Sequence, residues 1–398
     1  MQNSSCVSKR SACVSSECRL VVAQHPQSFA MVTLTILSLL LAPHALVLSA
    51  TALLFPAAMK PAAGVCACAF VGFMLRLRQA TLRFCGSAEP YQVVRTGATE
   101  KETRPASDAV FHVLFFVWGV FGRRGRLYQH LLRALNRQYD DWDTPFAALG
   151  TDASSAVLAY CARYGVQVEP WVWSKPAADY TTHNDWFARK YRAELSPERN
   201  LGDAAVLMPA TAVTSWYSSA AELPVLVKNE QFTLEGSGVP EPERYRDHPC
   251  CILYLAPVDY HCYHAPIGGA VVHCALLGLE AHSASVKPYI YEHVNILASN
   301  RRAVVVLQGR SRGGKALRCA MVVIGGVTVD SIRLETAVMQ PDAEVACGQL
   351  LGCFARGGSS IALFFDHDVE LLPEYAALHA QGLPFKLDAG VSLANLVE

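Results

Sequence analysis

Hydrophobic positions change texture along this chain. From Pro26 to Met59 there is no Asp, Glu, Lys or Arg. The apolar run from Met31 to Leu54 exceeds the ~20 residues a helix needs to cross a bilayer. Pro43 and His44 predict a kink within it, and Lys60 closes it. The run is too long for the apolar part of a cleaved signal peptide. A second uncharged stretch, 61–75, is shorter and precedes Arg76, Arg78 and Arg83. That pattern suits an interfacial segment or the return half of a hairpin. Ahead of both, residues 1–25 carry Lys9, Arg10, Arg19, several serines and one acid, Glu17. This reads as a targeting-like segment or a disordered tail.

Residues 86–108 are polar and read as a linker. Val110 to Trp118 is then apolar and aromatic, Arg123, Arg124 and Arg126 follow, and Leu127, Leu131, Leu135 and Tyr139 recur at helical spacing. Such a stripe fits an anionic membrane surface or an ordinary amphipathic helix packed on the core. Ser154 to Val166 predicts a further helix with Val157, Leu158, Cys161 and Tyr164 on one side. From about residue 200, short runs rich in Val, Ile and Tyr alternate with Gly and Pro, which predicts strands. They fall at 204–208, 223–227, 251–255, 269–274, 303–307, 317–324, 327–332 and 361–365. The expected architecture is α+β, a β-rich core preceded by membrane-spanning and peripheral amphipathic helices. The segments are 1–25 (tail), 26–85 (membrane anchor), 86–108 (linker), 109–200 (peripheral helices) and 201–398 (core).

Charge and cysteine content narrow the chemistry. With 34 basic and 34 acidic residues, no basic face points to nucleic acid. The 14 cysteines are irregularly spaced and include no paired C-x-x-C units, so no zinc site is predicted. They read mostly as free apolar fillers in a reducing compartment. Gly309 to Lys315 matches G-x-x-x-x-G-K, but Ala316 replaces the hydroxyl residue and no helix follows. It reads as a basic hairpin tip.

The candidate chemistry lies in two segments. Gly357-Gly358-Ser359-Ser360 opens the last long apolar run. A serine can attack the peptide bond before it, and a preceding glycine lets the backbone bend for that attack. Read alone, the segment is more often a plain turn into a strand. Upstream, Pro257-Val258-Asp259-Tyr260-His261-Cys262-Tyr263-His264-Ala265-Pro266 supplies two histidines in a proline-bounded loop, and histidine titrates nearest neutrality.

Together these segments resemble the phosphatidylserine decarboxylase family, with its P-x-D-Y-H-x-x-H-x-P motif and its late G-S-[ST] or G-G-S-[ST] motif. Tyr180 to Arg189 resembles the family's Y-x-T-F-N-x-F-F-x-R, and Gly348 to Phe354 its G-x-x-L-G-x-F lead-in. The resemblance runs from about Ala147 almost to the end. It implies that Ser359 attacks the Gly358 carbonyl with His264 as base. The chain then divides into 1–358 and 359–398, and Ser359 becomes a covalent pyruvoyl cofactor. His261 would assist decarboxylation or reprotonation. The implied substrate is phosphatidylserine in a phospholipid membrane, the product phosphatidylethanolamine, and the assembly a dimer of cleaved protomers. The mitochondrial inner membrane, endoplasmic reticulum and Golgi are all compatible locations.

One departure matters. The family has M-P-A-D-G upstream, where its aspartate orients the histidine. Here the segment reads Met208-Pro209-Ala210-Thr211-Ala212. Asp203 or Asp259 could substitute, Thr211 could hold the ring more weakly, or processing could fail. Cys262 also replaces a common arginine, and His183 a phenylalanine. Two other readings therefore stay open, a catalytically impaired lipid-binding paralogue and a pyruvoyl decarboxylase of a free amino acid. A metal site at His261, Cys262 and His264 lacks a carboxylate partner and standard spacing.

Overall fold

A computed structural model describes residues 90–101, 141–166, 172–199, 204–223, 234–278, 300–310, 315–326, 331–340, 342–355 and 359–397. The predicted tail, membrane anchor and basic-aromatic helix lie outside them, as does nearly all of the strand predicted at 223–227. No helix among the described residues is long and apolar enough to cross a membrane.

The described chain is β-rich with few helices. In chain order the strands are β1 (Pro90–Val93), β2 (Ala98–Lys101), β3 (Val206–Leu207), β4 (Ala212–Tyr217), β5 (Cys250–Leu255), β6 (Cys262–His264), β7 (Gly269–Leu277), β8 (Arg302–Arg310), β9 (Ala316–Gly325), β10 (Ser331–Leu334), β11 (Glu344–Val345), β12 (Leu350–Ala355), β13 (Ser359–Phe365), β14 (Val369–Leu371), β15 (Phe385–Leu387) and β16 (Ser392–Leu396). Ten form one sheet in the order β11-β7-β8-β9-β13-β5-β4-β15-β1-β2. Two three-stranded sheets, β10-β12-β6 and β14-β16-β3, complete the fold. All pairings are antiparallel except β1 with β15.

The strands that read most clearly in the sequence are buried on both faces. β5 and β13 are buried along their whole length. Side chains alternate across a strand, so two covered faces give a continuous apolar run. Cys251, Leu253 and Leu255 share a large core with Ile361, Leu363 and Phe365. Cys250, Ile252 and Tyr254 pack with Ala362 and Phe364 in a smaller one on the other face.

One stretch read as a linker pairs as strands. Within the predicted linker, β1 and β2 form a hairpin at the sheet edge, turned at Gly97 with φ 67°. The G-x-x-x-x-G-K segment sits between β8 and β9, which pair up to Arg310 opposite Ala316.

Helix α1 (Ala153–Tyr164) starts where the Asp152 carboxylate accepts from Ser155 N at 2.8 Å, and it stops at Gly165 with φ 74°. It buries Val157, Tyr160 and Cys161 against the large core. The Tyr160 hydroxyl donates to the Pro257 carbonyl at 2.8 Å. The short helix α2 (His183–Phe187) is capped by Thr182, whose hydroxyl accepts from Asp185 N at 3.0 Å.

The pairing of sheets positions the site. β5 pairs with β13, and β6 pairs with β12. The chain passes from the large sheet to the β10-β12-β6 sheet between β5 and β6, at 256–261, and back to the large sheet between Ala355, the end of β12, and Ser359, the start of β13. The crossings start from matched positions, Leu255 opposite Ser359 and Cys262 opposite Cys353. Phe354 N donates to the His261 carbonyl at 2.8 Å and fastens one crossing to the other. Gly352 permits the close packing here, because a Cβ would meet the Arg333 carbonyl and lie 2.7 Å from Tyr263 Cζ.

Candidate active site

Ser359 opens β13, opposite Leu255 on one side and Gly325 on the other. Alternation puts its side chain on the face of Ile361, Leu363 and Phe365, the large core that also holds Tyr260, Cys262 and Tyr263. Ser360 falls on the opposite face. Ser359 is fully buried, and its Oγ has no hydrogen-bond partner among the described residues. A buried hydroxyl is ordinarily paired, so this one marks a place where chemistry outweighs stability. Gly358, the other half of the predicted cleavage site, lies outside the described residues.

His264 is at the end of β6. Its Nδ1 is 2.8 Å from the Gly348 carbonyl oxygen. A carbonyl only accepts, so Nδ1 carries the hydrogen and Nε2 the lone pair. The Tyr260 hydroxyl donates to that Nε2 at 3.0 Å. Burial lowers the His264 pKa to about 4. His261 donates from Nδ1 to the Asp259 carbonyl at 2.9 Å, which leaves its buried Nε2 bare and unpartnered. Burial, and then the charge of Arg189, lower its pKa to about 3. Both imidazoles are therefore neutral at neutral pH, each with its lone pair on Nε2.

That burial has a consequence for stability. In the unfolded chain both histidines take up protons near pH 6.5, whereas in the fold they do so only near 3 and 4. Between these limits the unfolded state binds more protons, so stability is fully present above about pH 6.5 and falls as pH drops through that window. The slope reaches about 1.4 kcal/mol per pH unit for each histidine. Urea unfolding at pH 7, 6 and 5 is expected to show the decline, and His261→Asn to remove one histidine's share of it. A midpoint independent of pH across this range would contradict the buried neutral pair.

Arg189 holds the loop that carries both histidines. Its guanidinium is fully buried between Trp173 and Trp186, 4.7 and 4.9 Å from their ring centroids. Nη2 donates to the carbonyls of Val258 and Asp259, each at 2.8 Å. The Asp259 carbonyl thus accepts from Arg189 and His261 together.

Among the described residues, no acid side chain is hydrogen-bonded to the ring nitrogens of His264. The Asp259 carboxylate is paired with Lys386 and accepts from Ala256 N at 2.8 Å. Burial pushes that carboxyl up in pKa, and Lys386 opposes the shift. Thr211 accepts from Ala389 N at 3.2 Å and is hydrogen-bonded with Tyr191. The nearby Pro209 carbonyl accepts from His264 N at 2.8 Å. Asp203 lies outside the described residues. The Gly348 carbonyl occupies the position on Nδ1 that an orienting carboxylate would take. A backbone carbonyl has no sequence signal of its own.

Two of the divergent positions also find their places. His183 packs as an aromatic, its ring edge-on to Phe146 at 4.9 Å and tilted on Trp142 at 5.5 Å. Cys262 forms a disulfide with Cys353, its direct cross-strand partner. This corrects the expectation of free cysteines at these two positions. Cys161, Cys250, Cys251, Cys274 and Cys319 are free.

A buried serine at the start of β13, with two neutral histidines on and just before β6, has the makings of an enzyme's reaction centre, and comparison with known proteins gives its class. The family profile described as phosphatidylserine decarboxylase matches residues 183–386, more than half of the 398 residues. The chain is 28% identical over 259 residues to a phosphatidylserine decarboxylase proenzyme of Chlamydia trachomatis serovar L2, covering 61% of this chain and 82% of that protein. Proenzymes of the same name from Chlamydia muridarum and Fusobacterium nucleatum are 29% and 26% identical over 226 and 197 residues. Those matches cover 56% and 49% of this chain, and 72% and 63% of the two relatives. The class is thus a carboxy-lyase. The chain belongs to the phosphatidylserine decarboxylase family.

Proposed function

We propose that this protein cuts itself between Gly358 and Ser359 and then decarboxylates phosphatidylserine to phosphatidylethanolamine. The observation that carries the reading is Ser359 Oγ, fully buried, without a hydrogen-bond partner, and on the core face shared with the histidine-bearing strand.

In the first phase Ser359 Oγ forms a bond to the Gly358 carbonyl carbon, and its proton goes to His264. The peptide C–N bond breaks, leaving an ester at Oγ and a free amine on residue 359. Loss of the α-proton of residue 359 expels the Gly358 carboxylate. The resulting dehydroalanine takes up water and releases ammonia, which leaves a pyruvoyl group on fragment 359–398. Orientation of His264 by Gly348 lets this proceed without the family aspartate. A process that occurs once per chain also tolerates a slow rate.

The pyruvoyl group supplies the electron sink for loss of carbon dioxide. Residue 359 stays clamped between β5 and β9, which fixes that group in place. The bare Nε2 of His261 is the group able to accept a proton in a dry site and return it. The apolar run at 26–85 would hold the enzyme on the membrane that contains its substrate.

The test is the intact mass of a C-terminally tagged full-length protein under denaturing conditions. A fragment beginning at residue 359, with a pyruvoyl cap and no free amine, supports the reading. An unbroken chain overturns it in favour of a lipid-binding relative. Serine-lipid vesicles compared with free aromatic amino acids then settle the substrate class.

A further inference from the structure

We propose that Glu198 is a positioning residue for His264: its carboxylate secures the turn that orients the ring, and its charge favours the protonated ring. The inference rests on the self-processing reading, in which His264 is the base. The Gly348 carbonyl accepts from His264 Nδ1 at 2.8 Å, so whatever fixes that carbonyl fixes the ring. Gly348 takes a φ of 76°, which glycine adopts without strain. The turn around it is tied to β6 and to itself. Gly348 N donates to the Ala265 carbonyl, and Ala265 N to the Gln349 carbonyl, each at 2.8 Å. Gln349 Oε1 accepts from Ala346 N at 2.9 Å. The remaining tie comes from far along the chain, where Glu198 Oε1 accepts from Leu350 N at 2.8 Å.

Leu350 is the residue directly opposite His264 across the β6–β12 pair. The register shifts between Leu350 and Gly352, and pairing with β10 stops at Gly352. Such an irregularity takes a backbone group out of the ladder, and the Glu198 carboxylate receives it. Glu198 is itself placed by a turn with Pro197 at its second position. Its own N donates to Ser196 Oγ at 3.4 Å, and Arg199 N donates to the Ser196 carbonyl at 2.9 Å.

Any acceptor would satisfy Leu350 N, but a carboxylate brings a charge as well. Burial lowers the His264 pKa to about 4, the Gly348 bond and the Glu198 charge oppose that shift, and Lys190 adds to it. Lys190 is paired with Glu335 at 3.7 Å, and the Tyr260 hydroxyl on Nε2 is neutral. A base that takes up a proton becomes a cation, and the Glu198 charge stabilises that cation. Glu198 is exposed, so dissolved ions reach it and its effect on the ring is open to screening.

The experiment is cell-free synthesis of the C-terminally tagged full chain, with a chase that times release of the fragment beginning at Ser359. Wild type, Glu198→Gln and Glu198→Ala are compared at about 0.01 M and about 1 M salt, where charges act over about 30 Å and about 3 Å. Thermal midpoints are read on the same variants carrying Ser359→Ala, so that folding is scored apart from cutting. Glutamine keeps an acceptor for Leu350 N, so its midpoint is expected to be unchanged. Its cleavage at pH 7 and low salt is expected to slow about 5-fold, the scale of one pKa unit of base strength felt in part in the transition state. The acid limb of its pH–rate profile moves to lower pH, because a ring with a lower pKa stays neutral further down. Alanine removes the tie as well and is expected to slow cleavage about 100-fold, the scale of one positioned proton-transfer group. High salt is expected to bring wild type towards Glu198→Gln and to leave that variant unchanged. Glu198→Gln within about 1.5-fold of wild type at low salt overturns the proposal. So does a wild type as indifferent to salt as the variant, a Glu198→Ala rate equal to that of Glu198→Gln, or a fall in the Glu198→Gln midpoint that accounts for its rate. A wild-type chain that stays whole overturns the self-processing reading, and this proposal with it.

Discussion

Replacing Ser359 with alanine is expected to leave one unbroken chain of 398 residues and no release of carbon dioxide from serine lipid. The loss should be complete, because the side chain removed is the attacking atom of the first phase and the source of the cofactor of the second. Folding should survive. The hydroxyl is buried without a partner, so alanine removes an unsatisfied polar group, a change that is neutral or stabilising. Ser360→Ala is the matched control. That side chain lies on the opposite face of β13, and its variant is expected to be cut at close to the wild-type rate. Denaturing gels of the two tagged variants read the difference directly. A Ser359→Ala chain that still yields the small fragment would place the nucleophile elsewhere.

Arg189→Met is expected to cost about 3 kcal/mol of stability and to slow both phases. Two buried carbonyls, on Val258 and Asp259, lose a charged donor, each at about 1–3 kcal/mol. The stacking on Trp173 and Trp186 adds about 0.5–2 kcal/mol. Against this, methionine spares the fold the desolvation of a charge, which burial opposes strongly enough to lower the Arg189 pKa. The larger effect is on geometry. The Asp259 carbonyl that fixes His261 is held by the same guanidinium, so its loss frees the ring to turn. Urea unfolding gives the first number, and turnover by whatever enzyme is processed gives the second. Arg189→Lys, which keeps the charge but not the planar fork, should recover stability only in part. Unchanged stability in Arg189→Met would mean that the loop is held by Tyr160 and Lys386 alone.

The parts of the fold that were legible are those whose letters repeat a physical demand. β5, β8, β9 and β13 are apolar along most of their length because both faces are covered. Helix α1 shows its apolar side through Val157 and Cys161, although Leu158, read on the same side, is exposed. β6 and β12 carry histidines, cysteines and Gly352, so their letters resemble a motif more than a strand. β4 was hidden behind the Met208–Ala212 segment, and β1 and β2 behind a polar composition.

The site divides the same way. Ser359, His261 and His264 announce themselves by residue type. Tyr260 stood within the motif without a role. The group that orients His264 is a carbonyl of Gly348, brought there by a turn. The Cys262–Cys353 pair is set by strand register across 91 residues, which no local spacing encodes.

The four strands that follow the proposed cut are not a tail. β13 lies between β9 and β5, β15 between β4 and β1, and β16 between β14 and β3. The ribosome delivers these strands after the other twelve described strands. Until it has done so, the middle of the large sheet has an open slot, and Ser359 has no neighbours to hold it beside the histidine loop. Maturation would therefore report that these strands are in place and the architecture has closed. A truncated or misassembled product would carry the serine but never acquire the electrophile, so a reactive ketone would not be exposed on a half-made chain. Once cut, the short piece would remain threaded through the sheet, and its departure would require unfolding the whole.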